Sequence, residues 1–223
     1  MSFFEQLVHE TQAEREALYA VALIRDAAAG AITRDTYIAY LHQAYHHVKH
    51  TTPLLMACGA RLGSEQEWLR DAIAEYIEEE VGHQEWILND IAASGGDKEA
   101  ARASTSNAAT EMMVAYAYDF IARKNPVGFF GMVFVLEGTS TQLATGIAET
   151  LMTSLGLKRS SFSYLLSHGT LDLSHMEFFK GLMNKIDREE DKHAIIHMAR
   201  RMFVLFADMF RSVPHHSGVA HAA

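Results

Sequence analysis

The stretch SFSYLLSHGTLDLSHMEFFKGLMNKI runs from Ser161 to Ile186, and the behaviour of Gly169 inside it decides the fold. If Gly169 ends a short helix and Thr170 starts another, His168 and His175 fall on unrelated surfaces. If one helix runs through, then Leu165, His168, Asp172, His175, Phe179, Leu182 and Ile186 share a face, because their spacing alternates four and three. At about 100° per residue, the three polar members fall within about 60° of arc. The apolar stripe keeps its register through Gly169, so one long helix is expected.

The same periodicity recurs along the chain. It predicts an all-α, single-domain bundle of about seven helices. The first spans Phe3 to Ala29 and stops near Gly30. The second, capped by Thr33, spans Arg34 to Leu62 with a kink at Pro53. Ser64 and Glu67 form a capping-box pattern that opens the third, which reaches Ala93. Ser94 to Asn107 reads as a loop. The remaining helices cover Ala108–Arg123, Pro126 to about Gly156, Ser161–Ile186 and Arg188–Ser212. Residues 1–213 make the domain, and 214–223 (PHHSGVAHAA) read as a disordered tail.

Composition narrows the function classes. With 223 residues, 49% of them hydrophobic, the chain is long enough for a sizeable core. A net charge of −9 with no basic run argues against a nucleic-acid partner. The N-terminus lacks the basic and apolar regions of a secretory signal. The most apolar run, Gly128 to Leu136, is too short to span a bilayer, so no membrane association is expected. Cys58 is the only cysteine, which rules out an internal disulfide and reads as core packing. The cytoplasm is the expected location.

The functional signal comes from ionisable residues on buried stripes. The third helix reads Leu69, Ile73, Tyr76, Glu80, His83, Ile87, placing Glu80 and His83 where leucine belongs. Glu79 lies beside the stripe and is a secondary candidate, while Glu75, Glu78 and Glu85 read as solvated. The fifth helix reads Phe130, Val133, Glu137, Thr141, Ala144, so Glu137 needs a partner in an apolar setting. With His168, Asp172 and His175, three helices offer three carboxylates and three imidazoles. That mixed donor set suits iron or manganese better than a thiolate-preferring metal. A Glu-x-x-His pair is also the recurring unit of di-iron carboxylate bundles. Blander readings stay open: a buried Glu80–His83 ion pair, or a Glu137 paired with an arginine or hydroxyls.

Other histidines read differently. In HQAYHHVKH (His42 to His50), His42, His46 and His50 form a solvated face beside Lys49. His47 aligns with Tyr40, Ala44, Thr51 and Leu54 and is a pocket candidate or an extra ligand. Tyr40 and Tyr76 are further candidates for the pocket or for orienting the ligands. His193 and His197 read as surface, and His215, His216 and His221 as incidental to the tail.

These residues resemble the heme-oxygenase-like dimetal oxidases and oxygenases, relatives of thiaminase II and pyrroloquinoline quinone synthase. HGTLDLSH (168–175) looks like that family's His-x3-Asp-x2-His, VFVLEGTS (133–140) like the segment of its central Glu, and EEEVGH (78–83) like its earlier Glu/His helix. The resemblance implies a seven-helix fold with two irons, or iron and manganese, held by Glu80, His83, Glu137, His168, Asp172 and His175. It implies an O2-dependent oxidation of a small organic substrate, and a homodimer by analogy.

Departures from the relatives bear on the alternatives. Glu137 stands where thiaminase II has its cysteine nucleophile, and Ala44 where it has an aspartate. Ile24 and Ile147 stand where the p-aminobenzoate-forming branch has a tyrosine and a lysine. The alternatives are a metal-independent enzyme like thiaminase II or pyrroloquinoline quinone synthase, a heme-binding protein, and a non-catalytic helical binding protein. The heme reading rests on HETQAE (His9 to Glu14), which faintly resembles a proximal-histidine segment.

Overall fold

The computed structural model describes residues 1–215, with the side chains of 168–175 excepted. Among the described residues the chain is helical and contains no strand. The helices are α1 (Phe3–Glu10), α2 (Gln12–Tyr19), α3 (Ala22–Ala28), α4 (Arg34–Val48), α5 (Thr51–Gly59), α6 (Glu67–Glu80), α7 (His83–Ala93), α8 (Lys98–Ala103), α9 (Ala108–Arg123), α10 (Phe130–Leu155), α11 (Ser163–Met183) and α12 (Glu189–Ser212). Short 3-10 turns at Ser64–Gln66, Pro126–Phe129 and Arg159–Ser161 lead into α6, α10 and α11.

The seven expected rods are recognisable, but three are segmented. The first is divided into α1, α2 and α3 near Thr11 and Val21, and Gly30 then ends it in the left-handed region at φ 71°. Pro53 does not kink the second rod; it sits in the first turn of a new helix, α5. Proline has no N–H to lose there, so starting a helix is easier than bending one. The third rod breaks after Glu80 at Val81–Gly82, with Gly82 at φ 96°. Its entry also differs from the expected Ser64–Glu67 capping box: Gln66 Oε1 accepts from Gly63 N at 3.2 Å, one residue earlier. Within the expected loop, Asp97 accepts from the amides of Glu99 and Ala100 and caps the short α8. By contrast, α11 runs from Ser163 to Met183 without interruption at Gly169.

α10 is the central rod, packed against α3, α11 and α12. Its approach to α12 requires Gly131, where a Cβ would run into the Ile195 carbonyl oxygen and the Ala199 amide nitrogen. α4 packs on α7 and α9, and α5 on α6 and α9, so two layers face each other across one apolar core. One helical stretch, Pro126–Leu155, is long and apolar enough to cross a membrane, but 61% of its most apolar window is buried inside the fold. It is the bundle's core helix. At the start of the expected tail, Thr36 donates to the carbonyl of the exposed Pro214 at 3.4 Å, and His215 Nε2 lies 2.8 Å from Asp26 Oδ2.

Candidate metal centre

Between the layers lies a cavity of about 150 Å³ walled by α3, α4, α5, α6, α10, α12 and the first turn of α11. Its surface is mostly aliphatic and aromatic, and α10 supplies a whole face: Val133, Glu137, Ser140, Ala144, Ile147 and Leu151. That face keeps the expected four-three spacing but passes through Ser140 rather than Thr141. Both hydroxyls bond back to the Glu137 carbonyl, at 3.0 Å and 2.8 Å, the usual alternative for such groups inside a helix.

Half of the polar residues lining the cavity were singled out by the stripes, while Tyr37, Thr51, Thr139, Ser140 and Tyr164 were not. Glu80, Glu137, His47, Tyr40 and Tyr76 all line it. Glu80 is buried while Glu79 is exposed, so the inward carboxylate of that pair is Glu80. Glu137 Oε2 is sealed from solvent, as are His47 Nδ1 and the Tyr76 hydroxyl. Tyr40 is stacked on Phe210 with ring centroids 5.6 Å apart, and His47 meets Phe206 edge-on. Burial, reinforced by the Asp90 charge, raises the Tyr40 phenol well above its usual range, so this group stays a neutral hydroxyl.

His83 stands behind Glu80 rather than in the cavity wall. Its Nδ1 lies 3.0 Å from Glu80 Oε2, both groups are buried, and its ring stacks on Trp86 at 3.9 Å. The helix break explains this arrangement. Glu80 is the last residue of α6 and His83 the first of α7, and Gly82 turns the chain between them. His168, Asp172 and His175 are side chains outside the described residues; the helix that carries them is continuous. Among the described residues, no three His, Cys, Asp or Glu side chains cluster closely enough to hold a metal.

Several smaller expectations are corrected. His46 is not solvated: it is 2% exposed, its Nδ1 accepts from Lys49 Nζ at 3.2 Å, and its Nε2 donates to Ser104 Oγ at 2.8 Å. Burial, then Lys49 and the neighbouring histidines, lowers its pKa to about 4. His9 is exposed and does not line the cavity, which removes the sequence argument for a proximal heme ligand. His193 and His197 are at the surface, as expected. Cys58 is fully buried, and burial pushes its thiol up to about 12, so it is an inert core group.

One residue that the stripe could have revealed was missed. Continuing Leu69, Ile73, Tyr76, Glu80, His83, Ile87 by the same spacing reaches Asp90. It is 0% exposed and accepts from Ser163 N, Ser163 Oγ and Tyr164 N, which begin α11.

The bundle thus encloses a mostly apolar cavity into whose lining two carboxylates, an imidazole and several phenols are set, and its fold is heme-oxygenase-like. The chain belongs to the family described as iron-containing redox enzymes, whose model matches residues 38–207. Among solved structures it is similar to a domain of unknown function with a heme oxygenase-like fold from Shewanella denitrificans. That pair shares 23% identity and a TM-score of 0.84, covering 94% of this chain and 91% of the other. It also resembles a TenA homolog from Pseudomonas syringae, with 10% identity, a TM-score of 0.76 and coverage of 94% and 91%. The heme oxygenase-1 of Synechocystis, solved in complex with heme, matches with 11% identity, a TM-score of 0.74 and coverage of 95% and 91%. No curated protein matches the sequence.

Proposed function

We propose that this chain is an O2-dependent oxidase or oxygenase that acts on a small organic substrate. Two iron ions, or iron and manganese, would be held by Glu80, His83, Glu137, His168, Asp172 and His175. The observation that carries the reading is the chemistry of the cavity lining. Glu80 and Glu137, from two different helices, both line one apolar-walled space. Buried carboxylates are compatible with such a space when hydrogen-bonded cations or metal ions share it. Carboxylates with imidazoles are the donors that iron and manganese take.

The metals, when bound, supply the electrons for O2 reduction. The protein's own residues do the rest. Glu80 and His83 form a preset pair on either side of the Gly82 turn, so each orients the other. Tyr40, with its phenol kept protonated, and Tyr76 offer hydroxyls to a substrate or to a ligand carboxylate. Leu143, Ala144, Ile147 and Leu151 exclude water from the far side of the cavity.

Ile24 and Ile147 both line this cavity, and Ala44 is buried between Tyr40 and His47 on α4. Of the departures from the thiaminase II and p-aminobenzoate-forming patterns, Glu137, Ile24 and Ile147 therefore fall at the cavity. They favour a different substrate and a metal-dependent reaction.

The test is metal loading. The purified chain is measured for iron and manganese, loaded with Fe(II) without oxygen, and then exposed to O2 while consumption and transient absorbance are followed. Two metals per chain and oxygen-dependent absorbance changes are expected. Glu137→Gln should lose O2 consumption by two orders of magnitude or more, and Asp172→Ala should lose one ion with helicity retained. Failure of the native and iron-loaded chain to bind two metals overturns the proposal.

A further inference from the structure

α11 begins without a cap of its own. Its N-cap residue is Phe162, whose side chain has no acceptor, although the first-turn amides of a helix require one. The acceptor arrives from α7. Asp90 Oδ1 takes Ser163 N at 2.9 Å and Ser163 Oγ at 2.5 Å, while Oδ2 takes Tyr164 N at 2.8 Å. A carboxylate is also favoured there by the partial positive charge of the helix start.

We infer that Asp90 is a positioning residue: by capping α11 from α7, it sets the register between the helix that begins with His83 and the helix that carries His168, Asp172 and His175. A local cap would fix only where α11 starts. A cap lent by another helix also fixes how α11 is rotated and how far it is advanced along its neighbour. His83 and Asp90 are seven residues apart, two turns on one face of α7, so one helix face holds His83 against Glu80 and α11 by its first turn. Tyr164 and Leu165, in that first turn, line the cavity, and their placement depends on the same clamp. The effect on metal binding rests on the dimetal reading; the effect on α11 does not.

The experiment uses the full chain with Asp90→Ala and Asp90→Asn, and with Asn107→Ala as a comparison, since Asn107 caps α9 locally by accepting from Thr110 N. Amide hydrogen exchange is followed alongside Fe(II) and Mn(II) binding. Asp90→Ala should speed exchange at Ser163 to Leu166 at least tenfold while leaving α12 protected, and weaken metal binding by about tenfold to a hundredfold. Asp90→Asn retains one acceptor and should fall between; it carries the comparison if the alanine variant does not fold. Asn107→Ala should lower Tm without weakening metal binding. The inference is overturned if the Asp90 variants speed exchange uniformly, leave the start of α11 protected, or lower Tm with metal binding intact. If the parent chain binds no metal, the dimetal reading fails, and the exchange profile alone decides the role of Asp90.

Discussion

Two glycines sit beside candidate ligands, and they behave oppositely. Gly82, between Glu80 and His83, adopts φ 96° and separates α6 from α7, whereas Gly169, beside His168, lies within the unbroken α11. Charge at one helix end and packing along the other helix explain the contrast. Glu78, Glu79 and Glu80 crowd the C-terminal end of α6, where the helix dipole disfavours negative charge, and Val81 then leaves the helix at ψ 120°. Gly169 is preceded by Leu165 and Leu166 and followed by Phe178 and Phe179, with α10 packed along the helix. Tertiary packing, not glycine content, decides whether a helix ends.

The contrast can be broken by substitution. The largest effect should come from Gly82→Val. A β-branched residue at φ 96° is strained by about 1–3 kcal/mol, and the turn that places His83 against Glu80 would shift. Chemical denaturation should show the loss, and metal content should fall with it. Gly169→Ala should act in the other direction. Alanine inside a helix gains roughly 0.5–1 kcal/mol over glycine, so a rise in Tm is expected, and a fall would refute a continuous α11.

A smaller effect belongs to the α4 face of His46. Its pKa is about 4 in the fold, against 6.5 ordinarily. Between those values the unfolded chain takes up a proton that the folded chain does not. Its contribution to stability is therefore present above pH 6.5 and is lost as pH falls towards 4. His46→Gln should flatten the stability–pH curve in that window, as read by denaturant midpoints; an unchanged slope would mean that His46 takes up its proton equally in the folded and unfolded chain.

Much of the site was legible because burial follows spacing. Leu69, Ile73, Tyr76, Glu80, His83 and Ile87 are all buried as the stripe predicts, even though a helix break interrupts them. The break was not legible, since periodicity averages over a single turn. His46 was misread because α4 is covered on two sides, by α7 and α9, and a charged-looking face can be buried by a second neighbour. Asp90 was legible as the next stripe position, but its role was not, because its partners lie 73 and 74 residues away in sequence.

By itself, the sequence determined the helical class, the burial of Glu80 and His83, and the stripe positions that bring Glu80, Glu137, His47, Tyr40 and Tyr76 to the cavity lining. Hydrophobic period is a local property, and it survives whatever the rods pack against. Only the tertiary structure decided where the rods divide, which carboxylate meets which imidazole, and that α11 takes its cap from α7. Those outcomes depend on distances between segments that are remote in the chain and that no local pattern encodes.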